Sequence, residues 1–355
     1  MRTLLSGFFR LLVGALFIAM SSSAMAAVAY VHELTGTLTA QLGTAPVRAL
    51  ILGAQIDAGT TLTTGPNSNA IIKFEDGQIA VLQADTRLAL TSYSFFPARA
   101  AQSSATLTFL QGGLRLISGL IGANNRSDNL KLVAGTATIG IRGSAIVSFV
   151  IPGPSPTFTH VAQSGNFQFT APNLPPLNII GGQNISLPAI MPTNFAPPPV
   201  LSNANLPPAL TARVSSVAAI PTPPNNPVPP ALGGQVVVAT NTANLARSAA
   251  AANPTNTALQ EAANLATGNA VMLATTANQQ SQTILTTVIA AGGVPPSAPV
   301  GGVIAPTPSF LPPPPLSTAK PPAPPAPPPP APPPPAVTPA PVNTGGAPGT
   351  APSVQ

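Results

Sequence analysis

The sequence predicts an all-β domain of sandwich or roll type, followed by weakly helical and Pro-rich disordered segments. Period-two runs recur at a spacing of about ten residues between Val28 and Leu187, which is the mark of sandwiches and barrels. Gly-containing turn signals separate those runs. Composition then shifts near Pro188, after which Pro, Asn, Ala and Thr dominate and charges thin out. The expected organisation is a signal peptide over 1–26, a β domain over 27–188 and a Pro/Asn-rich linker over 189–231. An Ala/Thr/Asn-rich, weakly helical segment over 232–291 and a Pro-rich tail over 292–355 complete it.

The elements follow in order. Arg2 and Arg10 flank the start of an apolar run, Leu11–Met20, and Ala24-Met25-Ala26 supplies a small-x-small cleavage signal. That run is short for a bilayer crossing, which needs about 20 residues, so export with cleavage before Ala27 is expected. No transmembrane segment is expected after cleavage. In the β region, Val28–Ala40 alternates through Thr35-Gly36, and Leu50–Leu62 contains Gly53 and Asp57-Ala58-Gly59. Ala70–Leu82 reads as a hairpin around Asp76-Gly77 with a two-residue type I′ turn. That register pairs Phe74 with Ile79, Lys73 with Ala80 and Ile72 with Val81. It places Phe74, Ile79, Ile72 and Val81 on a core face, and Lys73, Glu75 and Gln78 on a wet one. Further strands are expected at Arg87–Tyr93, Thr106–Leu110, Gly113–Ile117, Leu130–Val133 and Thr136–Ile141. Ser144–Ile151, Thr157–Val161, Asn166–Thr170 and Ile179–Leu187 complete the set. Later, Asn253-Pro254 reads as an N-cap and first helical residue, with Ala258, Leu259, Ala262, Leu265 and Ala266 at helical spacing. Gln282, Leu285, Val288 and Ile289 form a second stripe. The tail from Leu311 to Pro341 is Pro-Ala, a composition that favours polyproline II.

Composition excludes several function classes. Only 6% of the 355 residues are charged, Cys and Trp are absent, and there are two His and seven acidic residues. A disulfide framework, a zinc-thiolate site and an iron–sulfur cluster are therefore out. The formal charge of +6 falls to +4 once Arg2 and Arg10 leave, and the remaining cations are scattered. Nucleic-acid binding has neither a basic patch nor a motif. No cofactor and no metal are expected.

Chemistry-bearing residues are few. Ser144 lacks the Gly-x-Ser-x-Gly frame of a hydrolase, and His32 and His160 stand apart in sequence. Glu75-Asp76 at a hairpin tip should be solvated, with ordinary pKa values. Asp57, Asp85 and Asp128 occupy turns, where Asp bonds its own backbone. Gly135 and Gly140 have phosphate-loop spacing, but Ile141 stands where Lys is required. Phe95-Phe96-Pro97, an aromatic pair in a loop, reads either as a core plug, the favoured reading, or as an exposed binding tip. Arg142 between Gly140 and Gly143 reads either as a clasp on turn carbonyls or as part of a recognition surface.

The runs LGAQIDAGTTLTTGPNSNAIIKFEDGQIAVLQADTRL (Leu52–Leu88), LQGGLRLISG (Leu110–Gly119) and LVAGTATIGIRGS (Leu132–Ser144) carry a resemblance. With Gly182-Gln183 in the closing strands, Val28 to about Leu187 resembles the FecR domain. That is the periplasmic domain of bacterial iron-signalling regulators and of many exported proteins. Its most specific run stands here as Gly140-Ile141-Arg142-Gly143-Ser144, the candidate binding residues the resemblance implies. Ser144-Ala145-Ile146 departs from the family's usual Thr, acid and Phe, and the apolar run from Leu4 leaves no room for an anti-sigma segment. The resemblance implies an extracytoplasmic β domain used for protein contact or sensing, without chemistry.

The expected function is thus that of an exported, non-enzymatic protein-binding or sensing module of a Gram-negative envelope. It would act in the periplasm or outside the cell, with an envelope or secreted protein as partner. The alternative is a structural or adhesive surface protein whose Ala/Thr/Asn region self-associates.

Overall fold

The computed structural model describes residues 27–123, 129–192 and 194–295. The residues expected to form a signal peptide (1–26), Asp128 and nearly all of the Pro-rich tail lie outside those residues. The all-β expectation holds for the first part of the chain, and helices follow it.

Strands form where the alternation places them, with two fusions and one split. The chain runs β1 (Ala29–Thr35), β2 (Leu38–Leu42), β3 (Arg48–Leu50), β4 (Gln55–Ile56), β5 (Thr60–Thr64), β6 (Asn69–Phe74) and β7 (Ile79–Leu82). It continues with β8 (Arg87–Ser94), β9 (Ser104–Gln111), β10 (Gly113–Ile117) and, after the short α1 (Leu120–Ala123), β11 (Leu130–Ala134). Thr136–Ile141 and Ser144–Ile151 merge into the long β12 (Ala137–Ile151), and the next two expected strands merge into β13 (Thr157–Thr170). Ile179–Leu187 divides at Gly181-Gly182 into β14 (Leu177–Ile180) and β15 (Gln183–Pro188), and β16 (Leu201–Ser202) pairs with β15.

One path links twelve strands in the order β3-β2-β5-β8-β9-β11-β12-β10-β7-β6-β1-β4. β9 and β11 are parallel, whereas every other described pair is antiparallel. Gly36 and Thr37 alone separate β1 from β2, yet these strands sit near opposite ends of the path. The sheet must therefore fold over on itself. One core results, shared by Val31, Leu38, Leu62, Phe74, Leu90, Phe109, Ile139 and Phe167 from both halves.

The β6–β7 hairpin departs from the predicted register. Lys73 pairs with Ile79, Ile72 with Ala80 and Ile71 with Val81. The loop has three residues, Glu75-Asp76-Gly77: Gly77 N–H donates to the Phe74 carbonyl at 3.0 Å, and Phe74 N–H donates to the Gln78 carbonyl at 2.9 Å. Of the three, Gly77 alone has positive φ, +88°, so a type I turn closes with a glycine bulge and type I′ is excluded. A one-residue slip turns the side chains of the slipped strand, β7, to the other face, while Ile72 and Phe74 keep the core face and Lys73 the second one. Ile72, Phe74, Ala80 and Leu82 enter the shared core. Ile71, Ile79 and Val81 lie on the second face with Lys73.

That second face is covered, not wet. After β16 the chain forms α2 (Pro208–Ala218), α3 (Pro230–Ala252) and α4 (Thr257–Ala290). Val217 of α2 packs on Val147, Phe149 and Val161, and the Arg213 guanidinium lies 4.3 Å from the centre of the Phe149 ring. Ile220 covers Ile71, Ile79 and Val81. The stretch Thr222–Val228, within the residues read as linker, buries Thr222, Asn225 and Val228. Tyr30 and Gly53 receive α3 through Gly233 and Gly234: a Cβ at Gly233 would stand 2.3 Å from the Tyr30 ring. The fourth helix begins later than the Asn253-Pro254 signal predicts. Asn256 caps it by accepting from Leu259 N–H, whereas Asn253 caps the C-terminus of α3. Both are good capping residues, and the tight reversal between the helices decides which cap each serves.

Phe95 packs against the shared core, and Phe96 is half-exposed beneath the Arg99 guanidinium, so only one ring of the pair is a plug.

Gly77 ties the loop to the covering strap, since a Cβ there would stand 2.0 Å from the Asn225 carbonyl oxygen. With strained φ added, Gly77→Ala should cost about 2 kcal/mol or more in urea unfolding. A loss under about 0.5 kcal/mol, the usual surface value, would mean that the strap is not seated on the loop.

Candidate functional site

The largest set of perturbed polar groups lies between the second sheet face and its covering layer. Lys73 is only 3% exposed. Its Nζ donates to Asn226 Oδ1 at 2.8 Å, and Asn226 Nδ2 donates to Ser281 Oγ at 3.3 Å. One chain of hydrogen bonds thus joins β6, the strap and α4. Burial pushes the Lys73 amine down to about 7. His32, at the β1 bulge, is pushed down to about 4 by burial and then by the Lys73 charge. Its Nδ1 and both side-chain polar atoms of Gln78 are buried without a hydrogen-bond partner.

Asp76 overturns the expectation of a solvated tip. It is fully buried: Oδ1 accepts from Gln78 N–H at 3.0 Å and Oδ2 from Ile121 N–H at 3.1 Å. Its own N–H donates to the Tyr93 hydroxyl at 3.2 Å. Burial raises the Asp76 pKa against the pull of those bonds. Glu75, partly buried, is pushed up to about 7 by burial and then by Asp76. The carboxylate therefore pins α1 to the hairpin loop, and the sheet and covering layer keep substrate from the Lys73 amine.

Sequence reasoning missed a Ser–His pair. Ser148 Oγ and His160 Nδ1 are 2.9 Å apart on directly paired positions of β12 and β13. Both are buried, with the imidazole between Phe158 and Phe169, and burial pushes it down to about 3, leaving it neutral. Counting back across a turn centred on Pro154 would have aligned them. A sealed pair is a core hydrogen bond, since a nucleophile needs access to its substrate. Among the described residues no three His, Asp or Glu side chains gather as a metal site.

The resemblance-derived residues occupy a special point in β12. Gly140 pairs with Lys131 of β11 and Gln168 of β13, and Ile141 is buried opposite Phe167. Half-buried Arg142 pairs with Asn166; the register then shifts at Gly143, which has φ +54°. Beyond the shift, Ala145 pairs with Ile117 of β10, and its N–H donates to Ser164 Oγ at 3.2 Å. Gly140-Ile141-Arg142-Gly143-Ser144 thus spans the bulge at which β12 exchanges one neighbour for another.

An open groove of about 860 Å³ lies elsewhere, between residues 48–57 and the α3/α4 pair. Arg48, Ile51 and Asp57 line one wall, and Val238, Asn269 and Leu273 the other. β3 and β4, which terminate the sheet path, border it, and no described strand pairs with their outer edges. No described helix is long and apolar enough to cross a membrane.

Fold and site together define a β-rich domain with a polar, sealed seam and an open groove beside β3 and β4. No family model and no curated protein matches the chain. Two crystal structures of a putative anti-sigma factor from Parabacteroides distasonis are similar at 8% and 9% identity, with TM-scores of 0.31 and 0.30. Each match covers 40% of this chain and 59% of that one, so the chain spans less than two thirds of that protein's length. A likeness at that level assigns no function.

Lys73 makes the seam sensitive to pH. Its folded pKa, about 7, is below the ordinary 10.5, so between those values the unfolded chain binds more protons and stability rises with pH. His32 acts likewise between about 4 and 6.5, whereas Glu75, raised from 4.5 to about 7, opposes it as pH rises through that range. Above pH 7 Lys73 should dominate. Unfolding free energy should climb by a few kcal/mol, on the order of 1.4 per pH unit, from pH 7 to 9.5. Lys73→Met should flatten that climb. An equal slope in the variant would show that the amine is hydrated in the folded chain.

Proposed function

We propose that the chain is an exported, non-enzymatic binding module of the bacterial envelope that holds a protein partner in the groove beside β3 and β4. The observation that carries this reading is the groove itself. It is open, it mixes apolar with polar lining, and it lies beside two strand edges to which an extended partner segment can add. The perturbed titratable groups lie in the seam and the core, away from any approaching substrate, which favours binding over chemistry. The resemblance to the FecR domain supports the same reading and an extracytoplasmic location. The Gly140–Ser144 bulge would shape the scaffold and present Arg142 at its surface.

A second reading, self-association as a structural surface protein, is favoured by the nearly uncharged helical pair. Between 230 and 290, Arg247 and Glu261 are the only charged residues.

In-cell crosslinking followed by blotting of periplasm, outer membrane and medium tests the first reading. A single heavier species containing a different protein is expected, and Ile51→Asp, at an exposed position in the groove wall, should reduce it at least tenfold. An unshifted chain in the medium would overturn the reading.

A further inference from the structure

We infer that the α3/α4 hairpin is a dimerisation element, and that the occupant of its open face is the same face of a second copy of this chain. The inference rests on the self-association reading and narrows it to a closed, two-fold pair.

The hairpin is held by small residues. Ala239 and Ala243 of α3 meet Ala270 of α4, with Ala266 and Leu273 beside them. From Asn241 to Thr276 the buried residues are Ala243, Ala250, Ala263 and Ala270, so beyond the β domain only this seam is covered. The larger apolar side chains point elsewhere. Leu245, Leu265 and Met272 are 65%, 70% and 64% exposed. Val238 and Leu245 are seven residues apart, as are Leu265 and Met272, so each pair forms a stripe along its helix. Val238 and Asn269 both line the groove, which puts the two stripes on one side of the hairpin.

Three arguments select a second copy. First, the stripes carry no charge and their helices almost none, so charge complementarity selects no different partner. Second, in both stripes the two apolar side chains stand seven residues apart, and a two-fold axis sets each stripe against one of the same spacing to complete a four-helix bundle. Third, the area fits. Residues 238–252 and 257–272 each make about 22 Å of helix, and two helices side by side are about 20 Å wide. The two copies together would bury about 1,000 Å², at the threshold of a specific interface. A dimer with Kd in the micromolar range, on the order of 1–50 µM, is expected, not a permanent one.

The test is sedimentation of the whole purified chain from about 1 to 200 µM, a range that brackets that Kd. Monomer should pass to dimer, and Met272→Glu should stay monomeric with an unchanged helical circular dichroism signal. The chain has no cysteine, so single substitutions report the face directly. Asn269→Cys, between the two α4 side chains, should form a disulfide-linked dimer on oxidation. Asn264→Cys, about 140° around the helix, should not. If Met272→Glu fails to fold, the cysteine pair decides. A monomer at every concentration overturns this inference and the self-association reading together. An open series of larger assemblies overturns only the closed dimer. A dimer that Met272→Glu leaves intact and Asn269→Cys does not link moves the interface elsewhere. Crosslinking from position 269 to a different protein gives the face to that protein and overturns the inference.

Discussion

The three-residue loop Glu75-Asp76-Gly77 is the constraint on which the rest of the chain depends. By adding one residue to the turn it directs Ile79 and Val81 away from the shared core, onto the face that Ile71 and Lys73 occupy. A face with three large aliphatic side chains cannot be left in water without losing about 1.5–3 kcal/mol for each. The same face carries an ammonium whose desolvation costs several kcal/mol. Covering it is favourable only if the cover both buries the aliphatic groups and offers the amine an acceptor. Ile220 does the first and Asn226 the second, and five residues separate them. The Pro-rich composition of Pro221–Pro230 then has a physical role. With φ fixed at most positions, the strap loses little entropy on lying down, and the missing N–H groups leave fewer donors to satisfy in the seam.

Asp76 completes the constraint from below. Its carboxylate accepts two backbone N–H groups, one from its own loop and one from α1, and its carbonyl accepts Leu120 N–H at 3.0 Å. Removing the side chain would orphan buried donors as well as free the loop. Two strands from the loop, across Ile117, the bulge at Gly143 lets one long strand serve two neighbours. β12 can pair with β11 on one side of the shift and with β10 on the other because the extra residue changes its direction there. The loop and the bulge together let a single sheet path close over one core.

Strand positions were legible because period two and turn glycines agree between Val28 and Leu187. Register was not, because Asp-Gly suits both a two-residue type I′ loop and a three-residue loop ending in a glycine bulge. The alternation around it, AIIKFEDGQIAVL, is apolar in either register. The ambiguity arises where both faces of a strand are buried, since local pattern then no longer says which face is which. Burial of Lys73 and Asp76 was hidden for the same reason: what covers them lies some 150 residues downstream for Lys73, in a segment whose Pro and Asn content reads as linker. The Gly140–Ser144 run was legible as special, and its bulge geometry explains Gly143. The groove left no sequence mark, because its walls meet only after the C-terminal layer has docked.

The helical pair shows how that docking and the low charge are connected. Alanine at the interhelical seam allows close approach but buries little area per residue, so the pair gains less than a Leu-filled seam would. Its stability must come from its ends. Gly233 and Gly234 seat the start of α3 on Tyr30 and Gly53, and Val288 seats the end of α4 on Ala100 and Leu120. Both anchors lie at the base of the hairpin, away from the turn at Asn253–Asn256. The tip therefore extends from a fixed root with its larger apolar side chains unused. Charge repulsion, the usual guard against association, is nearly absent there. A surface of that kind stays single only at low concentration, and each copy offers another the same neutral, regularly spaced face.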